Sequence, residues 1–317
     1  MNAGPPDNGA EGDTEIETLG EAGLAAACDV DDEKARAACG RFSVARVCTS
    51  HGAAFAEAYG ALEAEFGVRG ELERHAVIAG WVDGMRRVEQ GEFGHEYHLL
   101  MARDERGALA GVRDCHVIVD RSAALAVAYL AHVLVLPAYR RAGLAALLRA
   151  VPLALAQRAL AAHGLDAGRA EVLLAAEMEP AERQAPETRV RLVAYGRAGF
   201  RVLEPAWVPY LQPDFRDPVS RAAPEPLPFL LLVRWPGYEQ ETALPAHLAA
   251  AVVRHLYAVF ATHCRAEELG SLLTGTLSRL ARAGDRVPLL ELPRSLDDEE
   301  RLAPLWRETV LRSHGMK

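Results

Sequence analysis

Six consecutive residues between two apolar stretches have the composition of an anion-binding turn. They are Arg140, Arg141, Ala142, Gly143, Leu144 and Ala145. If a helix begins here, its first backbone amides lack partners within the helix, and its dipole favours an anion at this end. Gly143 and Ala145 leave room for a phosphate to approach the backbone, and the two arginines add positive charge. The segment therefore predicts a phosphate-binding turn.

The elements around this turn must position it, and the hydrophobic periodicity of the chain predicts them. In order, they are helices at 44–66 and 71–90, hairpin strands at 97–102 and 108–119, a strand at 125–135, a helix at 144–163, a strand at 171–176, a helix at 188–197 and strands at 200–210 and 227–235. The turn lies where the third of these strands meets the following helix. This alternation of strands and helices predicts an α/β fold.

The turn and its surroundings resemble the GNAT superfamily of acetyltransferases. Residues 140–145 match its Arg/Gln-x-x-Gly-x-Gly/Ala motif, and residues 133–140 look like its strand leading into the turn. A later helix ends at Tyr195 and is followed by Gly199 and Phe200, which is also typical of the superfamily. The resemblance covers residues 42–235. It implies a GNAT fold, in which helices flank a mixed central sheet with two splayed strands.

The same resemblance implies where acetyl-CoA would bind as a cosubstrate. The amides of residues 140–145 would hold its pyrophosphate, and the backbone of Val133, Leu134 and Val135 would pair with its pantetheine arm. The thioester would lie in the gap between the splayed strands, where an amine would attack it directly. Tyr195 stands where many relatives carry the acid that protonates the leaving thiolate.

The general base that takes the proton of the amine has several candidates. Relatives often carry a carboxylate on the central strand just before the turn, whereas this chain has Ala131 and His132 there. His132 titrates in the right range, and Glu177 or Glu179 at the end of the next strand are its rivals. The resemblance predicts an N-acetyltransferase acting on an amine. The alternative is a catalytically degenerate protein that binds acyl-CoA as a sensor or interaction module.

Bulk composition narrows the class of protein further. The 317 residues carry a formal net charge of −9, which argues against nucleic acid as a partner; a small-molecule or peptide amine is expected instead. We expect no membrane partner, because no signal peptide or membrane-spanning apolar stretch is recognised. The five cysteines form no Cys-x-x-Cys pair, which predicts free thiols and a cytoplasmic location. No metal is expected, because His95 and His98 would face opposite sides of a strand.

The periodicity also divides the chain into three parts. Residues 1–40 are expected to form a flexible tail, since their first half is poor in large apolar groups. Residues 41–237 carry the α/β elements, and residues 238–317 are predicted to form an all-helical C-terminal extension. The apolar faces of these helices must be covered, either by the core of the same chain or by a second copy in a homodimer. A third hypothesis makes the extension itself the functional part.

Overall fold

One large mixed β-sheet runs through the chain. The structure is a computed structural model that describes residues 14–20, 33–67, 70–84, 88–90, 92–166, 168–215 and 223–315. Its strands are β1 (Ile16–Thr18), β2 (Phe42–Val47), β3 (Val88–Gln90), β4 (Phe93–Asp104), β5 (Leu109–Asp120), β6 (Leu125–Val135), β7 (Glu171–Met178), β8 (Arg201–Leu203), β9 (Leu211–Gln212), β10 (Leu227–Pro228), β11 (Leu230–Arg234), β12 (Ala243–Pro245) and β13 (Arg286–Glu291). Across the sheet they follow the order β1-β2-β4-β5-β6-β7-β11-β8-β13-β12, with β3 paired to β4; β9 and β10 form a separate pair. Of these neighbours, β6 and β7 run parallel and the others antiparallel.

Helices cover both faces of this sheet. They are α1 (Glu33–Cys39), α2 (Ala53–Phe66), α3 (His75–Gly84), α4 (Leu144–Ala162), α5 (Pro186–Arg197), α6 (Ala246–Phe260), α7 (Ala266–Leu280), α8 (Glu299–Leu302) and α9 (Arg307–His314). One apolar core lies between the sheet and α2, α3, α6 and α7, and we call this side the front. The other core lies between the sheet and α1, α4, α5 and α9, and we call this side the back.

The centre of the sheet agrees closely with the sequence. The hairpin predicted between β4 and β5 is confirmed: Gly107 has a φ of 80°, and the Asp104 carboxylate accepts hydrogen bonds from the amides of Arg106 and Ala108 at 3.0 and 2.9 Å. β6, α4, β7 and α5 lie within two residues of the predicted bounds. The predicted α/β architecture with a mixed sheet flanked by helices is therefore confirmed.

The first and last parts of this region differ from the prediction. Residues 42–47 form β2 rather than the start of a helix, because Phe42 and Val44 enter the core while Ser43 between them is exposed. The second predicted helix is α3 followed by the short strand β3. The two long strands expected near the end are the short pieces β8 to β11. A continuous apolar run therefore overestimated the length of the paired segments.

Part of the predicted N-terminal tail belongs to the fold. β1 pairs antiparallel with β2. α1 packs on α4, and its Ala35 and Ala38 are completely buried. Small side chains allow this close packing, although they contribute little apolar periodicity. The expectation of a flexible tail is therefore wrong for residues 14–20 and 33–40; the other tail positions lie outside the described residues.

The C-terminal extension is not all-helical. β13 pairs with β8, Leu290 lying opposite Val202, and β12 adds a further strand, so the extension continues the central sheet. Pro288 in β13 disfavours a strand by residue type, which explains why the sequence does not predict it. The apolar face of α6 contributes Leu248, Val252 and Leu256 to the front core. The same chain therefore covers this face of α6.

The helix that leaves the predicted turn, α4, is long and apolar enough to cross a membrane by length and composition. In this fold 61% of its apolar window is buried, because side chains such as Leu147, Ala156 and Leu160 pack on the back of the sheet. The expectation that the sequence contains no apolar stretch of this length was therefore wrong. Packing in the back core accounts for its apolar character.

Leu256→Ala should lower the free energy of unfolding by about 2–5 kcal/mol, because it removes a completely buried side chain from the front core. Leu296→Ala, in the same extension but at a residue that is 47% exposed, should change it by less than about 0.5 kcal/mol. Urea titrations followed by circular dichroism and by tryptophan fluorescence measure both effects. A separate transition of the extension that carries the whole Leu256→Ala effect would contradict a core shared with the sheet.

Candidate active site

An opening between β6 and β7 forms the centre of the candidate site. Their parallel pairing begins at Leu125 and Glu171 and ends at Tyr129 and Ala175. β6 continues to Val135 along β5, and β7 continues to Met178 along β11. Between these two continuations, each strand has a backbone edge that pairs with no strand of the described residues. The parallel pairing of β6 and β7 therefore ends before either strand does.

A β-bulge on β6 lies at the start of this opening. Arg113 is opposite Val133 and Cys115 is opposite Leu130, so β6 has one more residue than β5 between these pairs. The bulge leaves the His132 amide free of the strand ladder, and it donates instead to the Asp114 carboxylate at 2.6 Å. Asp114 is completely buried. A side chain of the neighbouring strand therefore satisfies the bulged backbone.

The imidazole of His132 lies between two acceptors. Nδ1 is 3.1 Å from the Asp114 carboxylate, and Nε2 is 2.9 Å from the Glu71 carbonyl oxygen. Because neither partner can donate, both ring nitrogens must carry protons. Burial alone lowers the pKa of His132, but the Asp114 carboxylate and the Glu71 carbonyl help raise it to about 10. His132 is therefore held as an imidazolium, which has no lone pair to accept a proton.

Glu73 lies two residues beyond the carbonyl that His132 holds. Its side chain is 3% exposed, and its Oε2 has no hydrogen-bond partner in the described part of the chain. Burial raises the pKa of Glu73 to about 7, against the opposing effect of the His132 cation. The charges of Asp114 and Glu177 raise it further. A carboxylate that titrates near neutrality thus lies among the same charged residues.

Glu177 reaches this cluster from β7. Its Oε2 accepts hydrogen bonds from the Tyr129 hydroxyl at 2.7 Å and the Gln212 amide at 2.9 Å. Burial raises the pKa of Glu177, while its hydrogen-bond donors lower it. Glu179, the other carboxylate that the sequence singled out, instead forms an ion pair with Arg191 at 2.7 Å. The structure therefore brings Glu177 and His132 into one front-face cluster and leaves Glu179 paired elsewhere.

The predicted phosphate-binding turn lies at the end of the open edge of β6. The amides of Arg141, Gly143, Leu144 and Ala145 have no hydrogen-bond partner among the described residues, whereas those of Arg140 and Ala142 bond to carbonyls in the preceding turn. Arg140, Arg141 and Ala145 are exposed. The first turn of α4 therefore has unpaired backbone donors, two of which belong to the exposed residues Arg141 and Ala145.

Gly143 is required for a reason that the sequence did not reveal. Its φ is 83°, a conformation that favours glycine, and a Cβ at this position would lie 2.4 Å from the Lys34 carbonyl oxygen of α1. A side chain at this position would therefore clash with the backbone of α1. The absence of a side chain at Gly143 permits α1 to pack over the start of α4.

Tyr195 lies on the back of the sheet, away from the front-face cluster. Its ring packs edge-on against Phe200 with centroids 4.9 Å apart, and the Arg149 guanidinium lies 6.0 Å from its centroid. Its side chain is 7% exposed. Tyr195 is not among the residues gathered around His132. A ligand bound in the β6–β7 opening would lie between Tyr195 on the back and the His132 cluster on the front.

The histidines of β4 face opposite sides of the sheet, as strand alternation predicts. His95 faces the front, where its Nε2 is 3.0 Å from Nδ1 of His116. His98 is completely buried on the back, 3.2 Å from the Glu96 carboxylate. Within the described ranges, no group of three potential ligand side chains could hold a metal ion. The two histidines therefore do not share a site.

Asp114 and Glu73 are the members of the cluster that sequence reasoning missed. Asp114 lies within a strand whose other residues are mostly apolar, and a charged residue buried in such a strand is the signal that could have found it. Glu73 fell at the start of a predicted helix, where an acidic residue has an ordinary capping role. Its position depends on the contact between the Glu71 carbonyl and His132, two residues that lie far apart along the chain.

Comparison with known proteins gives only distant structural similarity. No family model and no curated protein matches the chain. A GCN5-related glucosamine N-acetyltransferase region of a fungal multi-domain GH3 β-N-acetylglucosaminidase aligns at 18% identity and a TM-score of 0.34, over 51% of this chain and 17% of that chain. Nourseothricin acetyltransferase aligns at 18% identity and a TM-score of 0.25, over 44% of this chain and 65% of that one. The chain spans less than two thirds of either protein, so function has to be inferred from the site.

Asp114→Asn should lower the pKa of His132 by more than one unit from about 10, because the amide removes the negative charge while burial remains. Tyr97→Phe is the matched control: it deletes the hydroxyl that donates to Asp114 at 3.1 Å and leaves the carboxylate in place. An NMR titration of the histidine ring nitrogens measures the pKa in each variant. An unchanged value in Asp114→Asn would contradict the assigned ion pair.

Proposed function

We propose that the protein is an N-acyltransferase that transfers an acetyl or related acyl group from acyl-CoA to an amine. The observation that carries this proposal is the opening after Tyr129 and Ala175, which leads along the free edge of β6 to a turn with four unpartnered amides. A long, narrow ligand with an anionic diphosphate suits such a path. The amides and dipole at the start of α4 favour the diphosphate, and the exposed Arg140 and Arg141 add positive charge.

The free edge of β6 suits the amide-containing arm of coenzyme A. Val133, Leu134 and Val135 pair with β5 on one side, and no strand in the described part of the chain pairs with them on the other. An extended arm with amide groups could therefore bond to this edge as an added strand would. Bound acyl-CoA would supply a thioester carbonyl, and the opening gives an amine access to it from the front.

We assign the role of general base to Glu73. A base works best when its pKa lies near the working pH, and burial raises the pKa of Glu73 to about 7. Its Oε2 has no hydrogen-bond partner among the described residues, so a lone pair remains to accept the proton of the amine. Glu177 remains a second candidate on β7: Tyr129 and Gln212 bond to its Oε2, while its Oε1 has no hydrogen-bond partner among the described residues.

The roles of His132 and Tyr195 differ accordingly. As an imidazolium between Asp114 and the Glu71 carbonyl, His132 fixes the connection that carries Glu73, which makes it a positioning residue rather than the base. Tyr195 lies on the opposite face, and we retain it as the acid for the leaving thiolate. In this arrangement the base approaches the thioester from the front and the acid from the back.

Coenzyme A should stabilise the protein against heat, because ligand bound to the native state raises its stability by about 2.7 kcal/mol at a hundred times the Kd.

Ala145→Glu should weaken this binding at least about tenfold, since it places a carboxylate beside the amides that would hold the diphosphate. Ala145→Gln has a similar size without the charge and should bind as the wild type does. A thermal-shift titration measures all three; binding unaffected by Ala145→Glu would refute the turn as the diphosphate site.

Glu73→Gln should lower kcat/KM for acyl transfer to a panel of amines by about 10²–10⁴-fold, the usual contribution of a general base. In the wild type, kcat/KM should rise with pH through about 7 as Glu73 loses its proton, and this limb should vanish in the variant. Glu105→Gln, at an exposed hairpin residue, should leave both unchanged. Release of free coenzyme A thiol measures turnover.

The same assays separate catalysis from binding alone. A protein that coenzyme A stabilises but that turns over none of the amines would support the degenerate acyl-CoA-binding alternative. A Tyr195→Phe protein as active as the wild type would remove the acid role while leaving the base untouched. Wild-type turnover that persists in Glu73→Gln with an unchanged pH profile would transfer the role of base to Glu177.

A further inference from the structure

A second cleft opens on the front of the sheet, at the end of the β4–β5 pair remote from the β6–β7 opening. Its volume is about 430 Å³, within the range of small-molecule sites. It lies between β4 and β5 on one side and α6 with its C-terminal turn on the other. Its lining includes Phe93, His95, Ile118, Asp120, Arg254, His255 and Ala258. The cleft therefore joins the sheet to the C-terminal extension.

A closed layer of side chains separates this cleft from the cluster around Glu177. His95 lines the cleft, and its Nε2 is 3.0 Å from Nδ1 of His116. His116 is 1% exposed and packs against Trp81, which is 3% exposed. Beyond His116 lies Tyr129, which donates to Glu177. The cleft is therefore a site of its own rather than an extension of the acyl-transfer site.

Two polar side chains of the cleft are buried and incompletely satisfied. Asp120 is 9% exposed; its Oδ1 accepts hydrogen bonds from the Ser122 hydroxyl at 2.7 Å and the Ala123 amide at 3.1 Å. Its Oδ2 lies 3.8 Å from Nε2 of His255, which is too far for a hydrogen bond. His255 is 6% exposed, and its Nε2 has no hydrogen-bond partner within the described ranges. One oxygen of Asp120 and one ring nitrogen of His255 therefore lie near each other without a hydrogen bond between them.

Asp120 forms no ion pair with an arginine or lysine among the described residues, although the exposed Arg254 lines the same cleft. Burial lowers the pKa of the neighbouring His255, which favours the neutral form of its ring. A buried carboxylate is costly unless a cation compensates it. The surrounding walls include Ile118 and the ring of Phe93, which is 44% exposed and packs against His255 with ring centroids 5.7 Å apart.

We propose that this cleft binds a small protonated amine with an aromatic or branched apolar body. The ammonium would donate to Oδ2 of Asp120, and the body would occupy the space between Ile118 and α6. The exposed ring of Phe93 offers a face to the same cation. The proposal concerns binding alone, and it holds whether or not the protein transfers acyl groups.

The test uses three probes of the same shape and different charge, titrated calorimetrically into the full chain at pH 7. They are 2-phenylethylammonium, 2-phenylethanol and 3-phenylpropanoate. We expect the ammonium to bind at least about tenfold more tightly than the alcohol, as hydrogen bonds to a charged partner allow, and the carboxylate not to bind. No acyl-CoA is present, so the result is independent of the proposed acyl transfer. Failure of the ammonium to bind, or equal binding of the alcohol, would overturn the proposal.

Variants locate the binding. Asp120→Asn keeps the size of the side chain and should erase the preference for the ammonium, whereas Asp297→Asn at an exposed carboxylate should retain it. Ala258→Phe should abolish binding of the ammonium and the alcohol, because Ala258 is an exposed helix residue whose enlargement fills the cleft without disturbing the core. Undiminished ammonium binding in folded Ala258→Phe would place the site elsewhere and overturn the proposal.

A spectroscopic readout covers the case in which Asp120→Asn does not fold. In the wild type, 2-phenylethylammonium should shift the NMR signals of the His255 ring and leave those of His51 unchanged. His51 lies outside the cleft, and its side chain is 87% exposed. A ligand that binds without moving the His255 signals would overturn the assignment to this cleft.

Discussion

The arrangement of the site depends on the buried contact between Asp114 and His132. One carboxylate accepts from both the backbone amide and the ring of the same residue, at the point where β6 bulges and its pairing with β7 has ended. Without that acceptor, the bulged amide would be buried and unpaired, which is unfavourable. The ion pair therefore stabilises the irregular strand that an open sheet requires.

The same contact links the sheet to the helices on its front. The second nitrogen of His132 donates to the Glu71 carbonyl, which lies in the connection between α2 and α3. Two residues later, Glu73 enters the buried cluster, where the positive charge of His132 limits the rise in its pKa. A histidine that the sequence offered as the base thus has a different effect: it positions a carboxylate and adjusts the pKa at which that carboxylate titrates.

The sequence could predict what depends on local patterns. The turn at residues 140–145, the strand before it and the helix after it follow from periodicity, glycine and proline, and the structure has them within one residue. Asp114 and Glu73 could not be predicted in the same way, because their roles arise from contacts between segments distant along the chain. Likewise, residues 286–291 form the strand β13 because the edge of β8 is available for pairing, although Pro288 disfavours a strand.

The C-terminal extension completes the front of the site. Phe260 of α6 packs against Tyr129, the residue that bonds to Glu177, and Tyr257 donates to the backbone of Leu211 beside Gln212. Gln212 in turn bonds to Glu177. Side chains of α6 therefore hold both residues that fix the Glu177 carboxylate. A segment that composition separates from the α/β domain is thus part of the same core, and it bounds the space on the front of the sheet beside Glu177.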